Sequence, residues 1–173
     1  MAARGPRCDD DRMTSPEPTL LLCYDRSENA KHAIEAAGSL FATKRALVLS
    51  VWQPIADSGS IPWFGEIANM GDFAELDRAA AEQGGRVAED GARIAREAGF
   101  DAEPVAVKAT GPVWKTILEV AGSHDAAAIV MGSRGLTGVR SMLLGSVSGA
   151  VVHHADRPTL VVHLREAEEA SKS

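Results

Sequence analysis

The sequence predicts an α/β fold: a single doubly wound domain with a five-stranded parallel sheet and helices on both faces. Two observations carry this. Short apolar runs alternate with longer helical patterns in the order strand-helix-strand-helix-strand-helix-strand-helix-strand, which demands right-handed crossovers. The run Thr19–Asp25 is also apolar at successive positions, as in a strand covered on both faces.

The elements follow in order. Met1–Pro18 is rich in Arg, Asp, Pro and Ser without apolar periodicity and reads as a disordered tail, with Met13 an alternative start. The first strand, Thr19–Asp25, ends on an acid. Ser27, followed by Glu28, caps a helix in which Ala30, Ala33, Ile34, Ala37, Leu40 and Phe41 recur at helical spacing, ending near Thr43. Arg45–Trp52 is the second strand, stopped by Pro54. The irregular stretch 53–71, with Trp63 and Phe64, is too long for a plain turn and reads as cover for the core or a pocket. Asp72–Gly99 is the longest helical pattern. Gly84-Gly85 in its middle predicts a kink or short break, and Gly99 supplies a stop. Ala102–Ala109 is the third strand, with Val105 and Val107 as its apolar pair. Pro112 opens the third helix, which turns Val113, Ile117, Leu118 and Ala121 inward and runs to about Ser123. Ala126–Met131 is the fourth strand. A glycine-rich loop follows, then a fourth helix from Ser146 to Ala155, then Pro158 and a fifth strand, Thr159–Leu164. The domain is therefore expected over 19–164, with a flexible acidic tail at 165–173.

The strand-loop-helix passage from Ile129 to Ser148 carries the chemistry. Gly132, Gly135 and Gly138 let the backbone approach a ligand, and Ser146 opens a helix whose first N–H groups and dipole suit an anion. Taken locally, the passage fits either a phosphate cradle or a crossover that only turns the chain. In a doubly wound sheet, ligands lie beyond the C-terminal strand ends where strand order reverses. If the first and fourth strands flank that point, Asp25 and the Met131-Gly132 exit face one crevice, which favours the cradle.

Other chemistries are poorly supported. G-x-G-x-x-G and G-x-x-x-x-G-K-[ST] are both absent. Gly145-Ser-Val-Ser-Gly149 resembles a nucleophile elbow, but Val147 stands where the nucleophile belongs. His153 and His154, about 100° apart on a helix, cannot both point at one metal. His32 and His124 read as surface or interface residues. The only two cysteines, Cys8 and Cys23, make neither a disulfide framework nor a metal spacing, as in a reducing compartment. A net charge of −6 argues against nucleic-acid or anionic-membrane partners, although Arg134 and Arg140 form a local basic spot. No apolar run approaches membrane-spanning length and no apolar leader precedes Thr19, so the expected location is cytoplasmic.

Gly132-x2-Gly135-x9-Gly145-Ser146 is similar to the G-2x-G-9x-G-(S/T) signature of nucleotide-binding universal stress proteins. The acid closing the first strand, Ser27-Glu28, and the passage from Gly145 to Val162 resemble that family as well, so that the likeness covers about Thr19 to Leu164. The resemblance implies strand order 3-2-1-4-5 and ATP bound as a regulatory ligand of a stress response, with Mg²⁺ alongside the phosphates. It implies that Cys23, Tyr24 and Asp25 lie near adenine and ribose, and that Val51 touches adenine. Met131 and Gly132 line ribose and phosphates, and Gly135, Gly145, Ser146 and Val147 hold the phosphates. No dedicated protein metal ligands and no catalytic residues are implied. The family also implies a homodimer through strand 159–164, with Val161 and Leu164 as candidate contacts. One departure is Arg26, where the family commonly has glycine; it would crowd the crevice mouth or add positive charge there. Gly138 falls outside the signature and reads as a loop turn. Three readings therefore stand: a regulatory ATP-binding module with slow hydrolysis at most, a nucleotide hydrolase or transferase, and a partner-binding domain without nucleotide.

Overall fold

The computed structural model describes residues 18–54, 73–135 and 144–164. The expected tails, the role of the 53–71 stretch beyond Pro54, and the segment 136–143 with Gly138 and Arg140 lie outside the described residues. The elements are β1 (Leu20–Cys23), α1 (Glu28–Leu40), β2 (Arg45–Trp52), α2 (Phe73–Glu97), β3 (Asp101–Lys108), α3 (Val113–Ser123), β4 (Ala128–Gly132), α4 (Ser146–His154) and β5 (Thr159–Val162). The sheet has five strands in the order β3-β2-β1-β4-β5, every pair parallel. This is the doubly wound architecture that the alternating pattern predicts.

Central β1 explains the layering. Leu20, Leu21 and Leu22 are all buried, and their alternation sends them to opposite faces. On one face Leu20, Leu22 and Tyr24 join Val48 and Val130 beneath α1 and α2. On the other, Leu21, Leu47, Leu49, Ile129 and Met131 pack with Ile117, Val120 and Ala121 of α3 and Val151 of α4. The chain leaves β1 toward β2 on one side, while β4 lies on the other. The reversal of strand order therefore falls between β1 and β4, and it opens a crevice at their C-terminal ends.

Several boundaries differ from the sequence reading by a few residues, because helix and strand ends are set by local hydrogen bonding rather than by composition. Ser27 caps α1, its hydroxyl accepting from Ala30 N at 3.2 Å. Pro112 sits at the N-cap of α3, one position ahead of its first turn. Gly99, at φ 91°, ends α2 in the left-handed conformation that glycine adopts without strain.

The expected break at Gly84-Gly85 is absent: α2 is one helix through both. Gly84 is there for a neighbour, since a methyl group on it would lie 2.8 Å from Trp52 Cδ1. Gly91, two turns further in, is tighter. A methyl group there would meet the Tyr24 ring at 2.6 Å and Val48 Cγ1 at 2.8 Å. Around Gly85 nothing lies within 4 Å. The same substitution should therefore have opposite signs along one helix. Gly91→Ala is expected to destabilise by about 1–3 kcal/mol through overpacking, and Gly85→Ala to stabilise by up to about 1 kcal/mol through helix propensity. Urea midpoints of the two variants against the parent check this.

Candidate functional site

At the C-terminal ends of the strands lies a crevice of about 720 Å³. All ten residues singled out from the sequence line it: Cys23, Tyr24, Asp25, Val51, Met131, Gly132, Gly135, Gly145, Ser146 and Val147. The β1 exit supplies the first three, β2 supplies Val51, β4 and its exit supply the next three, and the N-terminus of α4 supplies the last three. Sequence reasoning missed the opposite wall. Ala80, Gln83, Gly84 and Val87 of α2 close one side, while Val113 and Ile117 come from α3. No local signal marks them, because which side of a helix faces a crevice depends on how the helix crosses the sheet. Arg134 also lines the crevice, inside the glycine signature at a position the signature leaves open.

Three signature glycines have three different reasons. A methyl group on Gly132 would lie 2.6 Å from Asn29 C and 2.7 Å from Ala30 N, inside the backbone of α1. On Gly135 it would lie 2.6 Å from Asp25 Oδ2. Gly145 differs: its φ of −72° is open to any residue, and a methyl group would meet only Ser133 O at 3.4 Å, Arg134 Cα at 3.6 Å and Ser148 Oγ at 3.6 Å. Gly145 is the N-cap of α4 and offers no side chain to the first N–H groups of the helix.

Buried Ser133 fixes this geometry. Its N–H donates to Val162 O at 2.9 Å, beyond the last rung of β5. Its carbonyl accepts from Gly145 N at 2.7 Å and from the buried Ser148 hydroxyl at 2.7 Å. Its own hydroxyl donates to Asn29 Oδ1 at 3.4 Å, which also accepts from Leu164 N at 3.2 Å. The start of α1 is tied in separately: Ser27 Oγ donates to Arg134 O at 3.4 Å, and Ser27 N donates to Asp25 Oδ1 at 3.0 Å.

The other polar groups at the β1 exit are committed to structure. The Tyr24 hydroxyl donates to Asp90 Oδ2 at 3.0 Å, and Arg93 holds the same carboxylate at 3.0 Å. Burial, reinforced by that hydrogen bond, pushes the Tyr24 phenol up to about 12. Burial, with a smaller contribution from the Asp25 charge, pushes the Cys23 thiol up to about 12 as well, so it stays protonated. Arg26 sits at φ 68°, a left-handed conformation that costs a side chain and suits the glycine common there in the resembled family. It is exposed and is not among the residues lining the crevice, while its charge acts on the Tyr24 hydroxyl and on Asp90.

The two adjacent histidines are closer than their helical positions suggest. Their rings meet edge to face at 4.7 Å, and His154 stacks on Trp114 at 4.6 Å. Neither lines the crevice, and among the described residues no group of three or more His, Cys, Asp or Glu converges on a metal position. No helix among the described residues is long and apolar enough to cross a membrane.

Comparison with known proteins gives this arrangement its context. The model of the universal stress protein family matches residues 18–163. The chain belongs to the universal stress protein family. A universal stress protein of Thermus aquaticus is 34% identical over 146 residues, covering 83% of this chain and 97% of its own length. Among solved structures, a universal stress protein in complex with cAMP superposes with a TM-score of 0.61 at 20% identity, over 87% of this chain and 100% of that one. The universal stress protein from Archaeoglobus fulgidus in complex with dAMP gives a TM-score of 0.54 at 20% identity, over 84% of this chain and 97% of that one. Both likenesses are of fold, and the fold is the universal stress protein sheet.

The half-buried Cys23 thiol allows a direct check of crevice chemistry. In a Cys8→Ser background, Cys23 should react with iodoacetamide at pH 8 much more slowly in the native protein than in urea, because little thiolate forms. Mass spectrometry of timed aliquots reads the rate, and equal rates would show that the thiol is not held protonated.

Proposed function

We propose that this universal stress protein binds an adenine nucleotide, ATP with Mg²⁺, in the crevice between β1 and β4 as a regulatory ligand of a stress response. The observation that carries this reading is Gly145. Its backbone would tolerate a side chain, yet the position holds glycine, so that no side chain caps the helix start where Ser146 and Val147 line the crevice. A phosphate oxygen is the complement of such an N-cap. The volume is within the roughly 300–1,000 Å³ usual for small-molecule sites, and the walls are apolar where a purine ring would lie. The nucleotides in the two superposed relatives are adenine nucleotides too.

In this reading Cys23, Tyr24 and Asp25 meet adenine and ribose, Tyr24 through its ring alone. Val51 touches adenine, Met131 and Gly132 line ribose and phosphates, and Gly135, Gly145, Ser146 and Val147 receive the phosphates. Mg²⁺ would arrive with the phosphates rather than on protein ligands of its own, and would neutralise part of their charge. Binding rather than turnover is the proposed activity, in the cytoplasm and within a domain spanning 19–164.

Denaturing freshly purified protein and identifying released nucleotide by mass spectrometry tests the reading directly. ATP at a hundred times its Kd should add about 2.7 kcal/mol, or about 5–10 °C in Tm for a domain of this size. Gly145→Ala should keep unliganded stability within about 1 kcal/mol and abolish most of the ATP shift. Gly132→Ala should lose stability without ligand, by about 1–3 kcal/mol. No nucleotide released and no shift with ATP would refute the proposal.

We propose further that the chain forms a homodimer through strand 159–164. Support comes from β5 being an edge strand whose four residues are only half-buried. Sedimentation velocity should give a dimer, and Val161→Lys should shift it to monomer; a parent that sediments as a monomer contradicts the interface.

A further inference from the structure

The crevice lining contains only two charged side chains among the described residues, Asp25 and Arg134. They do not offset each other, since Arg134 makes no ion pair with Asp25 or with any other described carboxylate. The Asp25 carboxylate is already engaged, accepting from Ser27 N and pressing on Gly135. Arg134 is held by its backbone, its carbonyl accepting from Ser27 Oγ. Its Nε is not satisfied. Nε is closed off from solvent and is the one buried side-chain nitrogen or oxygen among the described residues without a hydrogen-bond partner. A buried donor without an acceptor is costly and rare, and its usual explanation is a missing partner.

Because Nε itself is closed off, the outer nitrogens of the same guanidinium are the groups that a crevice ligand could meet, and Arg134 lines the crevice. Its Cα lies 3.6 Å from where a methyl group on Gly145 would sit, so Arg134 leaves the backbone beside the open N-cap of α4. Two anion-seeking devices, a helix N-terminus and an always-charged fork of donors, therefore stand side by side at one end of an otherwise nearly uncharged crevice. We infer that Arg134 is the phosphate-reading residue of this site: it binds ligand phosphate oxygens in a charge-assisted hydrogen bond and makes the crevice prefer nucleotides over the corresponding nucleosides. The inference rests on the nucleotide reading above and assigns selectivity to a residue that the glycine signature leaves unspecified. A lysine would supply the charge but not the planar fork, so Arg134→Lys should recover only part of the effect.

Isothermal titration of adenosine, AMP and ATP, without Mg²⁺, into the parent, Arg134→Gln and Arg134→Lys proteins separates the possibilities. Arg134→Gln is expected to weaken AMP and ATP by about tenfold to a hundredfold, the scale of a hydrogen bond to a charged group, and to leave adenosine unchanged. The loss should shrink as salt is raised. A purely structural arginine would weaken all three ligands equally, and an idle one would weaken none; either pattern overturns the assignment while leaving nucleotide binding in place. If the parent protein binds none of the three, the nucleotide reading itself fails and the inference falls with it. Thermal melts of the unliganded variants confirm that each is folded before titration.

Discussion

One buried residue, Ser133, joins three elements that would otherwise end independently. Its N–H reaches β5, its carbonyl holds the first turn of α4, and its hydroxyl meets Asn29 on α1. Each partner is a chain end with unpaired polar groups, and burying such groups without partners costs more than a typical hydrogen bond returns. Satisfying them on one residue fixes the distance between the β4 exit and the start of α4, both of which line the crevice. The same Asn29 amide oxygen also receives the Leu164 N–H, so the last described residue after β5 is pinned to the helix that lines the other side.

This arrangement changes how the glycine signature should be understood. Gly132 and Gly135 are required by the protein itself, one by the α1 backbone and the other by the Asp25 carboxylate. Only Gly145 lacks an internal reason, and that lack points outward to a ligand. A single motif thus mixes packing constraints with a binding constraint, and substitution data that treat its glycines alike would confuse loss of fold with loss of affinity.

The sheet was readable because Leu20–Leu22 and Ile129–Met131 are apolar at every position, a pattern that only a strand covered on both faces requires. The strand-end residues of the crevice were readable because a β exit followed by glycine and a serine-led helix is a local pattern. Residues 83, 84 and 87 were not, because their role depends on the angle at which α2 crosses the sheet. Gly84 also misled: its cost in an isolated helix predicts a break, but Trp52 occupies the space that the missing side chain vacates. Ser133 was invisible for a related reason, since its hydrogen bonds run to residues far away in the chain.

The length of α2 has a mechanical consequence. At about 1.5 Å per residue its 25 residues run to roughly 37 Å, whereas the eight residues of β2 span about 26 Å. The helix therefore overhangs the sheet at the crevice end, and no described side chain from Ala74 to Gln83 is buried, with burial beginning at Gly84. Among the described residues those first turns are tied to the sheet by a Lys108–Asp77 ion pair. A molecule filling the crevice would lie against Ala80 and Gln83 of those turns and give them a surface to rest on, linking occupancy of a small site to support of the outer helix.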